Sequence, residues 1–381
     1  MICSRLRLLG LLAWFSMNFG AMSLALAAEP EAWKADWERT LQAARKEGRL
    51  VLYGSDDYEK LYAEFNRKYP EIKITGVFGR GADVAKRLMA ERRAEKYLAD
   101  LYLNGMTTGY NVLLKAKAVD PLAPVLVLPE VIDQSKWWQG KHQYVDPDNK
   151  YLLIFNGETR IVLAYNKNLV NPQEVRSYWD LLKPKWKGKI VALDPMSGGS
   201  GDALRFFYHS KLLGREFLKK LLGEMDVTIS ADSRQMADWM AGGKFAFTLF
   251  SPISRMDLDV GKEQGLPVDW FQPEELKEGA YITAGSGGVA LMNRAPHFNA
   301  AKVAINWLLS REGQITYQRL FTQGEDGPDS MRIDIPKDKV PKRNRRPQGD
   351  ESKFPLMDRA DLMDMEPIRK FIREVMEQRK R

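Results

Sequence analysis

Cysteine is almost absent from this chain of 381 residues, and its one occurrence is Cys3. The residues beyond it have no thiol for a disulfide, a zinc–thiolate cluster, a lipid anchor or a cysteine nucleophile. Histidine is scarce as well, and the spacing of His142, His209 and His297 matches neither a metal site nor a catalytic triad. We therefore expect no catalytic residue, no bound cofactor and no metal ligand of these types.

A long apolar run occurs only once, over residues 8–26. It follows Arg5 and Arg7 and ends at the small-residue site Ala25-Leu26-Ala27. This order is typical of a cleavable secretory signal peptide, which we predict to span residues 1–27. No later segment of the sequence is apolar for long enough to form a second span. The prediction is a soluble protein exported to the periplasm, and a retained membrane anchor is the alternative.

Basic residues exceed acidic ones by eight, and much of this excess lies near the end of the chain. Residues 331–381 contain fifteen basic and ten acidic side chains, including the run Lys342-Arg343-Asn344-Arg345-Arg346. A nucleic-acid-binding protein would spread its basic residues along a face that follows the phosphates. The pattern predicts no nucleic-acid partner and a solvated basic run, with an anion or membrane contact of that run as the alternative.

Predicted strands alternate with segments of helical periodicity in both halves of the chain. The strands are predicted at residues 49–54, 72–77, 99–103, 188–193 and 245–250. Such alternation favours parallel sheets with right-handed crossovers. Two apolar, glycine-containing segments, residues 151–165 and 281–292, are predicted to cross between the sheets. Helices are predicted at residues 296–309 and 311–321, and a final helix near residues 366–379.

The predicted fold class is therefore α/β with two lobes, each a mainly parallel sheet flanked by helices, joined by two crossing segments. Residues 28–160 form the first lobe, and residues 161–285 are an insertion that forms the second. Residues 286–381 return to the first lobe and continue as a C-terminal extension. In sheets of this kind, ligands bind beyond the carboxyl ends of the strands.

Polar residues follow the three predicted strands of the first lobe, and we predict that they contact a ligand: Ser55 and Asp56, Arg80 and Gly81, and Asn104. Serine and aspartate before a helix are also common N-caps, which is the alternative for the first pair. Arg80 lies between two glycines, so little side-chain bulk surrounds its guanidinium, an arrangement suited to an anionic group. A solvated arginine is the alternative there.

The strongest local signal is a glycine-rich loop in the second lobe, immediately before a predicted helix. It reads Asp194-Pro195-Met196-Ser197-Gly198-Gly199-Ser200-Gly201. Bare backbone amides, two hydroxyls and a helix N-terminus favour a bound anion, so Ser197, Gly198, Gly199 and Ser200 join the predicted site. The loop is neither a P-loop nor a dinucleotide fingerprint, and a flexible turn is the alternative. Ser251 and Arg255, after the strand at residues 245–250, complete the predicted set.

Three segments resemble the ferric-iron-type branch of the extracellular solute-binding proteins of ABC transporters. They are residues 47–70, with Gly48-Arg49-Leu50-Val51-Leu52-Tyr53; residues 179–190, with Trp179-Asp180-Leu181-Leu182-Lys183-Pro184; and residues 287–309, with Gly287-Gly288-Val289-Ala290. The resemblance covers about residues 40–335. It implies a type II periplasmic binding protein fold and a monomer that delivers a small-molecule solute to a permease with its ATPase. In that family, the loop that matches residues 197–199 holds an anion, alongside the metal in iron binders.

One position departs from the iron binders of this family. They place two adjacent tyrosines after the strand that matches residues 245–250, where this chain has Ser251-Pro252-Ile253-Ser254. Phenolates are hard donors suited to a trivalent ion. We therefore expect the solute to be small, polar and anionic, most simply an organic anion. The alternatives are a ferric-iron transport protein, a secreted transferase or hydrolase on the same fold, and a sensor subunit.

Overall fold

The computed structural model describes residues 29–160, 162–197, 200–250, 255–322, 327–346 and 353–379. The predicted signal peptide, residues 1–27, lies outside these ranges. The strands are β1 (Arg49–Gly54), β2 (Lys73–Phe78), β3 (Leu101–Leu103), β4 (Val119–Asp120), β5 (Gln143–Tyr144), β6 (Leu153–Ile154), β7 (Glu158–Arg160), β8 (Leu163–Asn166), β9 (Ile190–Leu193), β10 (Thr228–Ser230), β11 (Phe247–Leu249), β12 (Val268–Trp270), β13 (Tyr281–Thr283) and β14 (Gly288–Met292).

The helices connect these strands. They are α1 (Glu29–Glu47), α2 (Glu59–Lys68), α3 (Gly81–Arg93), α4 (Met106–Thr108), α5 (Pro129–Ile132), α6 (Gly201–His209), α7 (Gly214–Glu224), α8 (Ser233–Ala241), α9 (Arg255–Glu263), α10 (Phe298–Leu309), α11 (Arg311–Phe321) and α12 (Glu366–Arg379). None of the helices in the described ranges is long and apolar enough to cross a bilayer. The strands and helices predicted from periodicity are all present, with ends that differ by a few residues.

The sheet of the first lobe has the order β2-β1-β3-β14-β6-β5, and β4 pairs with β14. β1 is parallel to both β2 and β3, because the helices α2 and α3 carry the chain back across the sheet before each new strand. β14 is antiparallel to β3, β4 and β6. The sheet is therefore mixed, whereas the sequence suggested a mainly parallel one, since strands that return from the other lobe enter in the opposite direction.

The sheet of the second lobe is also mixed, with the order β10-β9-β11-β8-β12. β10 and β11 run parallel to β9, and β8 runs antiparallel to both of its neighbours, β11 and β12. α6 and α7 cover it with a buried aromatic cluster in which the Phe207 and Phe217 rings stack at 5.6 Å between centroids. Each lobe thus has its own apolar core.

The crossing segments form a two-stranded ribbon between the sheets. β7 connects β6 of the first sheet to β8 of the second, and β13 connects β12 back to β14. The two strands are antiparallel, with Glu158 opposite Thr283 and Arg160 opposite Tyr281. The prediction of two crossing segments is confirmed. The predicted lobe boundary at 160/161 lies at the end of β7 and that at 285/286 lies two residues after the end of β13; both stay predictions.

Residues 327–346 and 353–379, here named the C-terminal arm, contact both lobes. Arg346 donates to the carbonyl oxygens of Gly157 (2.9 Å) and Ser330 (2.6 Å) beside β7. Arg343 forms two hydrogen bonds, of 3.0 and 2.7 Å, with the carboxylate of Asp259 on α9. Both arginines are buried, so the prediction that this basic run is solvated is wrong for them. The carboxylates that compensate these charges are not neighbours in the sequence, so the local sequence pattern could not predict the pairing.

The last helix, α12, packs on the second lobe although the chain has by then returned to the first. Ile368, Phe371, Ile372 and Val375 lie at positions i, i+3, i+4 and i+7 of the helix and join the apolar core of α6 and α7. The arm therefore supplies part of the core of the second lobe.

Replacing Ile372, which is fully buried, tests this packing. Ile372→Ala should lower the free energy of unfolding by about 2–5 kcal/mol, because a buried side chain is lost and a cavity remains. The measurement is urea unfolding followed by circular dichroism. Glu374→Ala on the exposed face of the same helix is the control and should change little. Equal effects of the two changes would contradict the packing.

Candidate functional site

The three loops predicted to bind ligand in the first lobe are bonded to one another. The backbone amide of Ser55 donates to Leu103 O (3.0 Å), and that of Gly79 donates to Gly54 O (3.0 Å). The side-chain amide of Asn104 donates to Gly79 O at 3.0 Å. Because parallel strands end at one edge of the sheet, these bonds place Ser55, Arg80 and Asn104 in one cluster of loops.

Within this cluster, Ser55 stabilises the turn after β1. Its hydroxyl accepts from the Asp57 amide (3.3 Å) and donates to the Asp57 carboxylate (2.9 Å), so it caps the short 3₁₀ helix Asp56–Tyr58. Ser55 is 3% exposed, whereas Asp56 and Asp57 are exposed. The carboxylates, rather than the serine, are therefore available to a ligand on this loop.

Asn104 and Gly81 hold the neighbouring loop in position. The side-chain oxygen of Asn104 accepts from the Gly105 amide at 2.8 Å, and the residue is buried. A Cβ on Gly81 would lie 2.9 Å from the Tyr102 hydroxyl and 3.0 Å from the Asn104 side-chain oxygen. Gly81 therefore permits a close approach that a larger residue would obstruct. That Asn104 and Gly81 also contact a ligand stays a prediction.

Arg80 has a different environment. It occupies the N-cap position of α3 with extended backbone, and its side chain is exposed. Within the described ranges, no residue forms a hydrogen bond or ion pair with its guanidinium. A ligand contact and a solvated arginine are the two interpretations that the sequence allows, and this geometry is compatible with each.

The glycine-rich loop of the second lobe is built around Asp194. Its carboxylate accepts from the Met196 amide (2.8 Å), and its carbonyl accepts from the Ser197 amide (2.9 Å) and the Ser200 hydroxyl (3.0 Å). Ser200 is fully buried and precedes α6 at the N-cap position. The Ser197 hydroxyl oxygen is buried without a hydrogen-bond partner among the described residues. It is thus the hydroxyl of this loop that remains available to a ligand.

Three further predicted residues cannot be placed. Gly198, Gly199 and Ser251 lie outside the described residues, and for Arg255 the structure gives the backbone position at the start of α9. Their roles stay predictions.

The ribbon adds charged residues that the sequence analysis missed. Glu158 and Arg160 of β7 form an ion pair, and a Cβ on Gly285 would lie 3.8 Å from an Arg160 guanidinium nitrogen. A Cβ on Gly105 would lie 3.5 Å from Gly285 O, so this pair adjoins the loop after β3. Burial, then the neighbouring Tyr317 hydroxyl, and to a lesser degree the charge of Glu158 raise the pKa of Tyr58 well above its usual value.

A second group of polar side chains lies where β13 meets α6. The Thr283 hydroxyl oxygen is 3.1 Å from a carboxylate oxygen of Asp202 and 3.0 Å from one of Asp358. Asp202 also pairs with Arg205, which is 3% exposed. Burial and then the nearby Asp202 charge raise the pKa of Asp358 to about 6. Asp202 directly follows the glycine-rich loop and could have been noticed, whereas no local signal marks Asp358.

The described part of the chain contains no preformed metal site. No three or more His, Cys, Asp or Glu side chains converge there. Asp56 and Asp57 provide exposed carboxylate oxygens, which are hard donors, but two carboxylates do not fill the coordination sphere of a ferric ion.

Comparison with known proteins identifies the family. The profile described as "Bacterial extracellular solute-binding protein" matches residues 53–315, which is more than half of the chain. The chain belongs to this family. The type II periplasmic binding fold and the likeness to the ferric-iron-type branch are both confirmed. The protein is thus a solute-binding protein of the kind that serves ABC transporters.

Three relatives illustrate the range of this family. The "Fe(3+)-binding periplasmic protein" of Serratia marcescens is 24% identical over 279 residues, covering 72% of this chain and 77% of that protein. The structure of Trichodesmium IdiA (FutA) "in complex with iron and citrate ligands" has a TM-score of 0.62 and 19% identity, covering 86% of this chain and 99% of the other. AfuA of Actinobacillus pleuropneumoniae, with fructose-6-phosphate bound, has a TM-score of 0.55 and 20% identity, covering 87% and 99%. The names of these solute-binding proteins describe binding rather than catalysis.

A pair of substitutions separates structural residues from available ones in the solute-free protein. Asn104→Ala should lower the free energy of unfolding by about 1–3 kcal/mol, because the buried Gly79 carbonyl and Gly105 amide lose their partner. Arg80→Ala should change it by less than about 0.5 kcal/mol, since the exposed arginine has no described partner. Thermal and urea unfolding measure both. A stability loss of Arg80→Ala equal to that of Asn104→Ala would show that Arg80 is a structural residue.

Proposed function

We propose that this protein is the solute-binding subunit of an ABC importer and that its cargo is ferric iron carried as a complex with a small, oxygen-rich anion. The observation that carries the proposal is a combination: iron-binding relatives on the one hand, and too few protein donors for a bare ferric ion on the other. An anion that brings its own oxygen donors to the metal reconciles the two.

The transport role rests on the family and on the sequence. Members of this family bind small solutes, and lobe closure makes selectivity possible because a solute that touches both lobes favours the closed state. The predicted signal peptide, residues 1–27, would place the mature protein in the periplasm, as the Serratia relative's name describes for that protein. The partners would be a membrane permease and its ATPase, and the mature protein would act as a monomer.

The names of the relatives favour iron over a metal-free organic anion as the solute. The Serratia relative is named for Fe(3+), and the Trichodesmium structure holds both iron and citrate. The sequence argues against coordination by the protein alone, because the residues after β11 are Ser251-Pro252-Ile253-Ser254 and contain no tyrosine. A chelating carboxylate anion would supply the missing hard oxygen donors.

Each lobe offers chemistry for one part of such a complex. Asp56 and Asp57 of the first lobe offer carboxylate oxygens to the metal. The anion would bind between Arg80 and the N-terminus of α6, where backbone amides and the free hydroxyl of Ser197 favour negative charge.

A metal-free anion is the second candidate, favoured by one observation. AfuA shares the fold and was solved with fructose-6-phosphate, an organic anion. In that case Arg80 and the start of α6 would suffice, and the two carboxylates would have no role in binding.

Calorimetry on purified residues 28–381 distinguishes these candidates. Ferric citrate should bind at least a hundred-fold more tightly than citrate or fructose-6-phosphate without metal, because the protein carboxylates then complete the metal's oxygen shell. The complex should show no visible phenolate-to-iron band, since no tyrosine pair follows β11 in the sequence. Equal affinity for metal-free anions would support the second candidate. A phenolate band with iron alone would restore coordination by the protein itself.

Site variants test the assignment of residues. Arg80→Ala should weaken binding of ferric citrate by about ten- to a hundred-fold, because a charge-assisted hydrogen bond contributes roughly 1.5–3 kcal/mol. Asp56→Asn with Asp57→Asn should weaken ferric citrate but not citrate. Arg39→Ala, an exposed arginine on α1, is the charge-matched control and should leave affinity unchanged. Unchanged affinity in both site variants would place the solute elsewhere.

A further inference from the structure

The hydroxyl of Thr283 lies between two carboxylates at the point where the chain leaves the ribbon for the first sheet. Its oxygen is 3.1 Å from Asp202 Oδ2 and 3.0 Å from Asp358 Oδ2, and it also accepts from the Gly285 amide at 3.3 Å. Thr283 and Asp358 are each 3% exposed. Three separate elements meet at this oxygen: α6, β13 and the C-terminal arm.

The proton count of this cluster is constrained by geometry. A threonine hydroxyl carries one hydrogen and can donate to one carboxylate only. The contact with Asp358 is buried, whereas the Asp202 carboxylate is partly exposed, so a hydrogen on the Asp358 carboxyl group would satisfy both contacts at once. A cluster with both carboxylates ionised would leave two negative oxygens facing one hydroxyl with a single hydrogen between them.

The neighbouring charges show which carboxyl group carries the proton. Asp202 forms an ion pair with the buried Arg205. Asp358 has no cation of its own in the cluster; its Oδ2 accepts from the Ala284 amide at 2.7 Å. The hydrogen bonds therefore run in one direction, from protonated Asp358 to Thr283 and from Thr283 to ionised Asp202.

We propose that Asp358, Thr283 and Asp202 form a proton-operated lock on the ribbon of β7 and β13, the hinge between the two lobes. With the proton in place, the arm and the first turn of α6 are both held on β13, and the lobes are kept in their present arrangement. Loss of the proton leaves two facing carboxylates, which repel each other and release the arm from the hinge strand. The lock is independent of which solute the cleft binds.

The surroundings of the cluster favour the same protonation. Burial and the charge of Asp202 raise the pKa of Asp358 to about 6, while the Ala284 amide and Arg205 oppose this rise. The other charged or titratable groups on the segments nearest the cluster include Glu158 and Arg160 on β7, Tyr281 on β13, Tyr208 and His209 on α6, and the exposed Arg359–Asp361 pair on the arm. The first and last of these groups are paired internally, so each contributes little net charge.

The sign of the pH effect follows from this shift. A carboxyl group with a raised pKa disfavours the folded state once it ionises, so the folded protein gains stability as the pH falls from about 6.5 to about 4. Across that range the group should change the unfolding equilibrium constant by about a hundred-fold. Asp358→Asn, which is neutral at every pH, should abolish this part of the pH dependence.

The experiment measures stability and lobe distance together. Residues 28–381 contain no cysteine, so Lys60→Cys in the first lobe and Lys219→Cys in the second can carry the only two spin labels. We expect the wild-type distance distribution to broaden between pH 5 and pH 7.5, and that of Asp358→Asn to stay narrow at both. Asp361→Asn, an exposed carboxylate of the same arm, is the control and should behave like wild type.

Substitutions of Thr283 and infrared spectroscopy provide two further tests of the lock. Thr283→Val, which removes the bridging hydroxyl, should broaden the distribution at pH 5, and Thr283→Ser should restore it. In the unmodified protein, infrared spectroscopy should show the band of a protonated, buried carboxyl group at pH 5 that is lost by pH 7.5. Absence of that band, or identical pH dependence of stability in wild type and Asp358→Asn, would overturn the lock.

Discussion

The antiparallel pairing of β7 with β13 is the interaction on which the rest of this structure depends. The chain passes between the sheets along these two strands, and their backbone hydrogen bonds keep the two crossings together. The paired strands also carry polar side chains near the predicted ligand loops: Glu158 and Arg160 on one strand, Thr283 on the other. The two crossings and the surroundings of these loops therefore share the same six residues.

The C-terminal arm adds a second connection, made mostly by charged groups in buried positions. Arg346 is bonded to the carbonyls beside β7, and Lys337 pairs with Asp329 at 2.7 Å. Burial lowers the pKa of Lys337 to about 8, although the Asp329 charge opposes it. Removing one partner from such a group leaves an uncompensated charge, which costs far more than the pair contributes. The arm is thus fixed by the need to satisfy these charges, in addition to its apolar contacts.

The fold leaves the cargo to a few loop residues. Relatives of similar architecture are described with iron, with iron and citrate, and with fructose-6-phosphate. In all open α/β sheets, the ends of the strands present backbone amides and helix N-termini to the same space. What distinguishes one solute from another is the set of side chains on those loops, and in the proposed function these are Asp56, Asp57, Arg80 and Ser197.

The sequence by itself determined the order of strands and helices, the two crossings and the position of the glycine-rich loop, because apolar periodicity and glycine act locally. It also predicted the loop residues Ser55, Arg80 and Asn104, but it left open which of them are structural. Only the tertiary structure decided that Ser55 and Asn104 hold the loops while Arg80 stays unpaired among the described residues. It alone revealed the burial of Arg343 and Arg346 and the meeting of Asp202, Thr283 and Asp358. Thr283 lies 81 positions from Asp202 and 75 from Asp358, and no local pattern of sequence records which distant charge a folded chain will bring alongside.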